Sequence, residues 1–200
     1  LTLQQSLLSL LHRPEEYLQL EGQVDILIKQ LFGENNPLVK TLHLFDVCGH
    51  MASNHYLTEA REYADRAIRL LTDAFGFCPY VEFMEAVCNS RIAFYMEDYH
   101  CCIDEATIAN TLWYTPEYGQ VAPPTSNWTE DGARGIEQTG IQNALLLCNA
   151  YAKINHPKGS IDFLEELLEK GGLDFYQTTS AEITLAELYL VDGREEDARA

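Results

Sequence analysis

Apolar residues recur at three- and four-residue spacings along most of the chain, and glycine, proline, asparagine and aspartate punctuate the intervals. This pattern predicts helix after helix and no strand. Residues 1–11 carry leucines at helical spacing. A second helix opens near Pro14, with Glu15 and Glu16 in its first turn, and runs to about Phe32. Its stripe is Tyr17, Leu20, Val24, Leu27, Ile28 and Leu31. Gly33 stops it and Pro37 restarts helix over 37–52, apolar at Leu38, Leu42, Leu44, Phe45, Val47, Cys48 and Met51. Asn54 breaks the pattern. The next helix, 58–75, has Ala60, Ala64, Ala67, Ile68 and Leu71 on one face. Gly76 and Pro79 then repeat the stop and start.

Helices follow at 80–96 and 99–112, separated by Glu97-Asp98, the second with Cys102, Ala106 and Ala109 on one face. Regularity then lapses over 113–135, which holds three prolines, three glycines and four aromatics. It is expected to be a long irregular insertion. Helix resumes over 136–154. Asn155-His156-Pro157 turns it into a partner running from Gly159 or Ser160 to Lys170. Gly171-Gly172, a helix over 174–191, the turn Asp192-Gly193-Arg194 and a last helical segment over 195–200 complete the chain. That last segment reads as an unfinished helix, so the chain is expected to be a piece of something longer.

Two stretches align with each other. Cys148, Tyr151, Asn155 and Ser160 match Ala186, Tyr189, Gly193 and Ala198, each pair 38 residues apart. A weaker pair, Cys48/Met51/Ala60/Ala67 and Ser90/Ala93/Cys102/Ala109, recurs at 42 residues. Small side chains at these places let antiparallel helices approach, and an aromatic fills the wedge between units.

The arrangement resembles the tetratricopeptide-repeat superfamily, in the longer style of kinesin light chain. Met51 and Ala93 stand where that family has its aromatic. The resemblance implies an all-α, right-handed α-solenoid of antiparallel helix pairs: a degenerate pair at 1–36, two repeats at 37–112, the insertion at 113–135, and two further repeats at 136–200, the last truncated. In that superfamily the first helix of each pair lines a concave groove that holds a peptide or helix. Carried over, the groove positions are Phe45, Gly49 and Ser53; Val87, Arg91 and Tyr95; Leu145, Asn149 and Lys153; and Ile183, Glu187 and Val191. Each set steps by four residues along one helix face. Val87, Leu145 and Ile183 could equally face a neighbouring helix as core. Only Asn149 and Lys153 match the residues with which chaperone-binding relatives clamp two carboxylates, which argues against that mode.

Charge narrows the partners. Thirteen basic residues against 31 acidic ones give −18, which disfavours nucleic acid and anionic lipid and suits basic partners or plain solubility. Apolar content of 46% is that of a folded chain. Six cysteines without a CxxC pair read as buried hydrophobes of a reducing compartment, cytoplasmic or nuclear. The sequon at Asn127 is discounted, and the apolar run 7–11 is too short to span a bilayer.

Candidate chemistry is sparse. Asp46 and His50 lie four apart with Cys48 between, but Cys48 occupies a packing position and points elsewhere. His100-Cys101-Cys102 lacks a second ligand pair at a zinc spacing. No phosphate loop, nucleophile elbow or metalloprotease motif occurs. The expectation is therefore a non-catalytic scaffold with no cofactor or metal, binding a basic or amphipathic segment of a partner protein. Two rivals stand: the helical region of a larger enzyme, such as a MYND–SET-like methyltransferase, or a structural subunit of a complex.

Overall fold

The computed structural model describes residues 16, 20, 22–24, 26–27, 30, 37–114, 130–171, 173 and 175–199. The protein is all-α, and no strand occurs among these residues. The described positions between 16 and 30 are helical. Then come α1 (Pro37–Ser53), α2 (Leu57–Phe75), α3 (Pro79–Tyr95), α4 (Tyr99–Tyr114), α5 (Glu130–Lys153), α6 (Lys158–Lys170) and α7 (Phe175–Val191). A short 3₁₀ turn, Asp197–Arg199, follows.

The helices form for different reasons. α2 is amphipathic, and its buried face is the run Ala60, Ala64, Ala67 and Leu71 at helical spacing. α3 opens on Pro79 and is buried almost all round, from Tyr80 and Val81 through Phe83, Met84 and Val87 to Ile92 and Ala93. A helix that is apolar on all sides must have neighbours on all sides. α3 accordingly packs against α1, α2, α4 and α5. α5 packs against α3, α4 and α7, and α7 also packs against α6.

The helix ends recur in pairs. α1, α3, α5 and α7 each close on a residue of positive φ: His55 (64°), Glu97 (61°), Asn155 (59°) and Gly193 (79°). In all four, that residue's amide donates to the carbonyl three residues back, and the next amide reaches five residues back: Tyr56 to Met51, Asp98 to Ala93, His156 to Tyr151 and Arg194 to Tyr189. This is one C-terminal capping motif made four times, and it satisfies the last carbonyls of each helix. α2 and α6 end differently, on Gly76 (φ 70°, ψ −172°) and Gly171 (φ 67°, ψ −167°), backbone that only glycine adopts without strain.

One core cluster spans α1 to α4 and includes Phe45, Val47, Met51, Ala64, Leu71, Tyr80, Phe83 and Ile92. A second joins α5, α6 and α7 through Ile141, Leu145, Ile161, Leu164, Ala181 and Leu188. Trp113 packs against both.

Three sequence expectations change. Trp113 and Tyr114 continue α4, and α5 begins at Glu130, so the expected insertion 113–135 is helical at both ends; its centre, 115–129, lies outside the described residues. The described residues 195–199 do not form an α-helix; they turn once as 3₁₀ over Asp197–Arg199. Leu27, expected inward, is 38% exposed, whereas Leu20 of the same stripe is buried. Tyr17, Ile28, Leu31, Gly33 and the helix expected at 1–11 lie outside the described residues.

Candidate functional site

The matching turns give a common register. Counting back ten, six and two residues from each positive-φ residue reaches the three rows of expected groove positions, one residue per row on α1, α3, α5 and α7. The rows differ in what they expose.

The innermost row is core in three helices out of four. Phe45, Val87 and Leu145 are 8%, 6% and 5% exposed and belong to the apolar clusters, so they offer no binding surface. Ile183 is 58% exposed. The alternative left open by the sequence thus resolves as core for Val87 and Leu145 and as surface for Ile183. The reason lies in the neighbours. α1, α3 and α5 each have a later odd-numbered helix beside them, and α7 has none among the described residues.

The middle row stitches helix to helix. Gly49 is half-buried, and the Arg91 guanidinium lies over it. Arg91 Nη2 donates to Gln142 Oε1 of α5 at 3.4 Å. Asn149 Oδ1 accepts from the Thr184 hydroxyl of α7 at 3.2 Å. Glu187, the last member, is exposed. The outer row lies at the turns. Ser53 Oγ donates to the His50 carbonyl. The Tyr95 ring meets His55 edge-on at 6.1 Å and Phe94 at 5.5 Å. Lys153 is exposed and Val191 is 39% exposed. Ser53, Arg91, Tyr95, Asn149 and Lys153 therefore remain accessible on neighbouring helices.

The charge here is mixed in spite of the overall −18. Arg91 lies near Asp46, and Lys153 and Glu187 are exposed on α5 and α7. Asp46 sits near Arg91 and His43. Partial loss of water raises its carboxyl above the usual carboxylate range, against the pull of Arg91 and then His43.

Gln142, Thr184, Asn110 and Asn143 were not singled out from the sequence, and Ser90 only as a small packing residue of the repeat; the structure joins Ser90, Asn110 and Asn143 in a buried polar group. In that group the Ser90 hydroxyl donates to Asn143 Oδ1 at 3.0 Å. Asn143 Nδ2 donates to the Ala106 carbonyl and to Asn110 Oδ1, each at 3.0 Å. Asn143 interrupts the apolar run of α5, the one signal that could have found it. The network ties α3, α4 and α5 together at the centre of the molecule.

The other chemical candidates separate in space. Asp46 is exposed, whereas His50, one turn on, is buried with its Nδ1 3.3 Å from Asn54 Nδ2. Cys48 is buried and hydrogen-bonded to Cys88 of α3, which lowers its thiol pKa; burial pushes the Cys88 thiol well up. Cys102 is buried with its thiol pushed up to about 12, whereas the adjacent Cys101 is exposed. No set of three or more metal-ligating side chains converges among the described residues. No described helix is long and apolar enough to cross a membrane.

A cleft of about 420 Å³ lies between α4, α5 and α6, lined in part by Asn110, Leu147, Cys148, Tyr151, His156 and Phe163. Burial pushes the Cys148 thiol up to about 12, outweighing a hydrogen bond with Ser160, so no thiolate nucleophile stands there near neutral pH. Comparisons with protein-family models, with curated proteins and with solved structures find no match.

Proposed function

We propose that this chain is a tetratricopeptide-like right-handed solenoid that binds a peptide or helical segment of a partner protein, without catalysis, along the face formed by α1, α3, α5 and α7. The observation that carries this reading is the recurrence of one helix-ending turn at His55, Glu97, Asn155 and Gly193, with the same two backbone hydrogen bonds each time. Four equal turns imply four equivalent helix–turn units. The packing agrees: each odd-numbered helix touches the next odd-numbered one, as in a stacked array. Such an array presents corresponding residues of successive units side by side, which suits an extended ligand.

Within that groove the contact surface is narrower than the sequence implies. Ser53, Arg91, Tyr95, Asn149 and Lys153 supply it, and Phe45, Val87 and Leu145 belong to the core beneath it. Tyr95 offers a rigid aromatic face, and Arg91 and Lys153 offer two cations on neighbouring units. The acidic exterior steers a ligand with basic flanks toward these contacts, so its association slows as salt is raised.

The test is selection of peptides from a displayed library against the intact chain, followed by affinity measurements on the double variant Arg91→Glu/Lys153→Glu. Loss of about tenfold or more for most selected peptides supports the groove. Undiminished binding places the ligand elsewhere and overturns the reading.

A further inference from the structure

The third helix pair departs from the first two at Tyr151. This residue stands four before Asn155, as Met51 stands before His55 and Ala93 before Glu97. Met51 and Ala93 are buried, whereas Tyr151 is half-buried. The helices differ likewise. α1 packs closely on α2 and α3 on α4, but α6 packs more closely on α7 than on α5. The cleft of about 420 Å³ lies here, with Leu147 and Tyr151 of α5 and Phe163 of α6 along it. That volume falls in the range of small-molecule sites.

The polar groups of the cleft favour an acceptor. Asn143 Nδ2 donates to Asn110 Oδ1 at 3.0 Å, which fixes the Asn110 amide and leaves its Nδ2 as the end available to the cleft. Asn143 is itself held by the Ser90 hydroxyl and the Ala106 carbonyl. A donor oriented by a buried network loses little freedom on meeting a ligand. The Tyr151 hydroxyl and the His156 ring also line the cleft, and neither makes a hydrogen bond among the described residues. The first turn of α6 borders it through Gly159 and Ser160, and Pro157 at the N-cap offers no side-chain hydrogen bond to the first amides of that helix.

Charge points the same way. Among the described residues no aspartate or glutamate lines the cleft, although the chain carries 31. The stretch 153–159 holds Lys153, His156 and Lys158, all exposed, and no acid. Aromatic walls, oriented donors and no carboxylate suit a flat ring that bears an anionic acceptor, whereas a cation would find no counter-charge.

We propose that the cleft between α4, α5 and α6 binds a small aromatic carboxylate, its ring against Tyr151 and Phe163 and its carboxylate on Asn110 Nδ2. This site is separate from the groove and stands whether or not the groove holds a peptide.

The test is equilibrium dialysis of the whole chain against naphthoate and against the naphthylmethylammonium ion, each followed by naphthalene fluorescence. Naphthoate is expected to bind saturably, and the cation at least about tenfold more weakly. Asn110→Asp keeps an acceptor for Asn143 Nδ2 but turns a carboxylate oxygen toward the cleft, so it should lose about tenfold for naphthoate. Leu147→Trp fills the cleft with an indole of its own and should abolish binding. The comparison of the two probes needs no variant, so it decides even where a substitution weakens the fold. Absence of saturable naphthoate binding, equal binding of anion and cation, or undiminished binding by Asn110→Asp overturns the proposal.

Discussion

The Arg91 guanidinium lies over the α-carbon of Gly49, so that a Cβ built on Gly49 would stand 3.4 Å from Arg91 Cζ and closer still to Nη1. A glycine in the middle of α1 costs about 1 kcal/mol of helix propensity relative to alanine. Here it admits the side chain that links α1 to α3 and, through Gln142, to α5. Gly49→Ala displaces only the end of a flexible side chain. It is therefore expected to leave thermal stability unchanged or slightly raised, while lowering affinity for ligands that contact Arg91. A variant that is markedly destabilised, or that binds such ligands undiminished, would contradict this account.

Gly140 faces a different constraint. A Cβ there would lie 2.8 Å from Cζ2 of Trp113 and nearer still to the ring-fusion carbons. The indole is rigid and packs against both core clusters, so it cannot swing aside as Arg91 can. Gly140→Ala is expected to destabilise by about 1–3 kcal/mol despite the gain in helix propensity. Urea unfolding followed by tryptophan emission measures this, and a stability equal to wild type would show that the α4–α5 contact is looser than described.

This contact also shows where the sequence is legible and where it is not. The turns at His55, Glu97, Asn155 and Gly193 are readable because polar or glycine punctuation interrupts a 3.6-residue period. Trp113 is not, because prolines, glycines and aromatics nearby give the segment the composition of a loop, while the helix continues for packing reasons. At the other end, the charge-rich stretch after Gly193 reads as helix but is exposed nearly throughout, and it turns once as 3₁₀ against the end of α7. The groove rows are legible as a face, since a four-residue step is local. Their exposure is not, since the helices beside Phe45, Val87 and Leu145 decide it. Ser90 and Asn143 lie 53 residues apart, and no local pattern announces their pairing.

The capping turns carry a further test. His55, Glu97 and Asn155 hold positive φ with a β-carbon, a conformation that glycine adopts at lower cost. Glu97→Gly is therefore expected to stabilise by about 0.5–1 kcal/mol, and Gly193→Ala to destabilise by about 1 kcal/mol. Denaturant midpoints report both. If Glu97→Gly weakens the fold, its backbone there is not left-handed and the equivalence of the four turns fails.

Asn143 is 3% exposed, and three polar groups depend on it. Asn143→Ala leaves the Ser90 hydroxyl and the Ala106 carbonyl without that partner, which is expected to cost about 1–3 kcal/mol. Ser90→Ala removes only one member and should cost less. Adding Ser90→Ala to Asn143→Ala should cost less than the sum of the two, because the bond between these side chains is lost only once, even though the Ser90 hydroxyl can still donate to the Val87 carbonyl at 2.9 Å. Strict additivity in that double-mutant cycle would mean the hydrogen bond contributes nothing.

Asp46 gives the pH prediction its sign. Loss of water raises its carboxyl pKa in the folded chain above the unfolded value, with Arg91 and His43 opposing. In the window between the two pKa values the native state holds the proton that the unfolded state has released. Stability from this group is therefore fully present below the ordinary carboxylate range and falls as pH rises through the raised folded value. Asp46→Asn removes the penalty, so the variant should exceed wild type in urea midpoint at neutral pH, with the difference shrinking to nothing in acid. Subtracting the two pH profiles cancels the other carboxylates. A difference that instead grows in favour of the variant as pH falls would mean that attraction to Arg91 outweighs loss of water, since only a carboxylate stabilised by the fold loses stability on protonation.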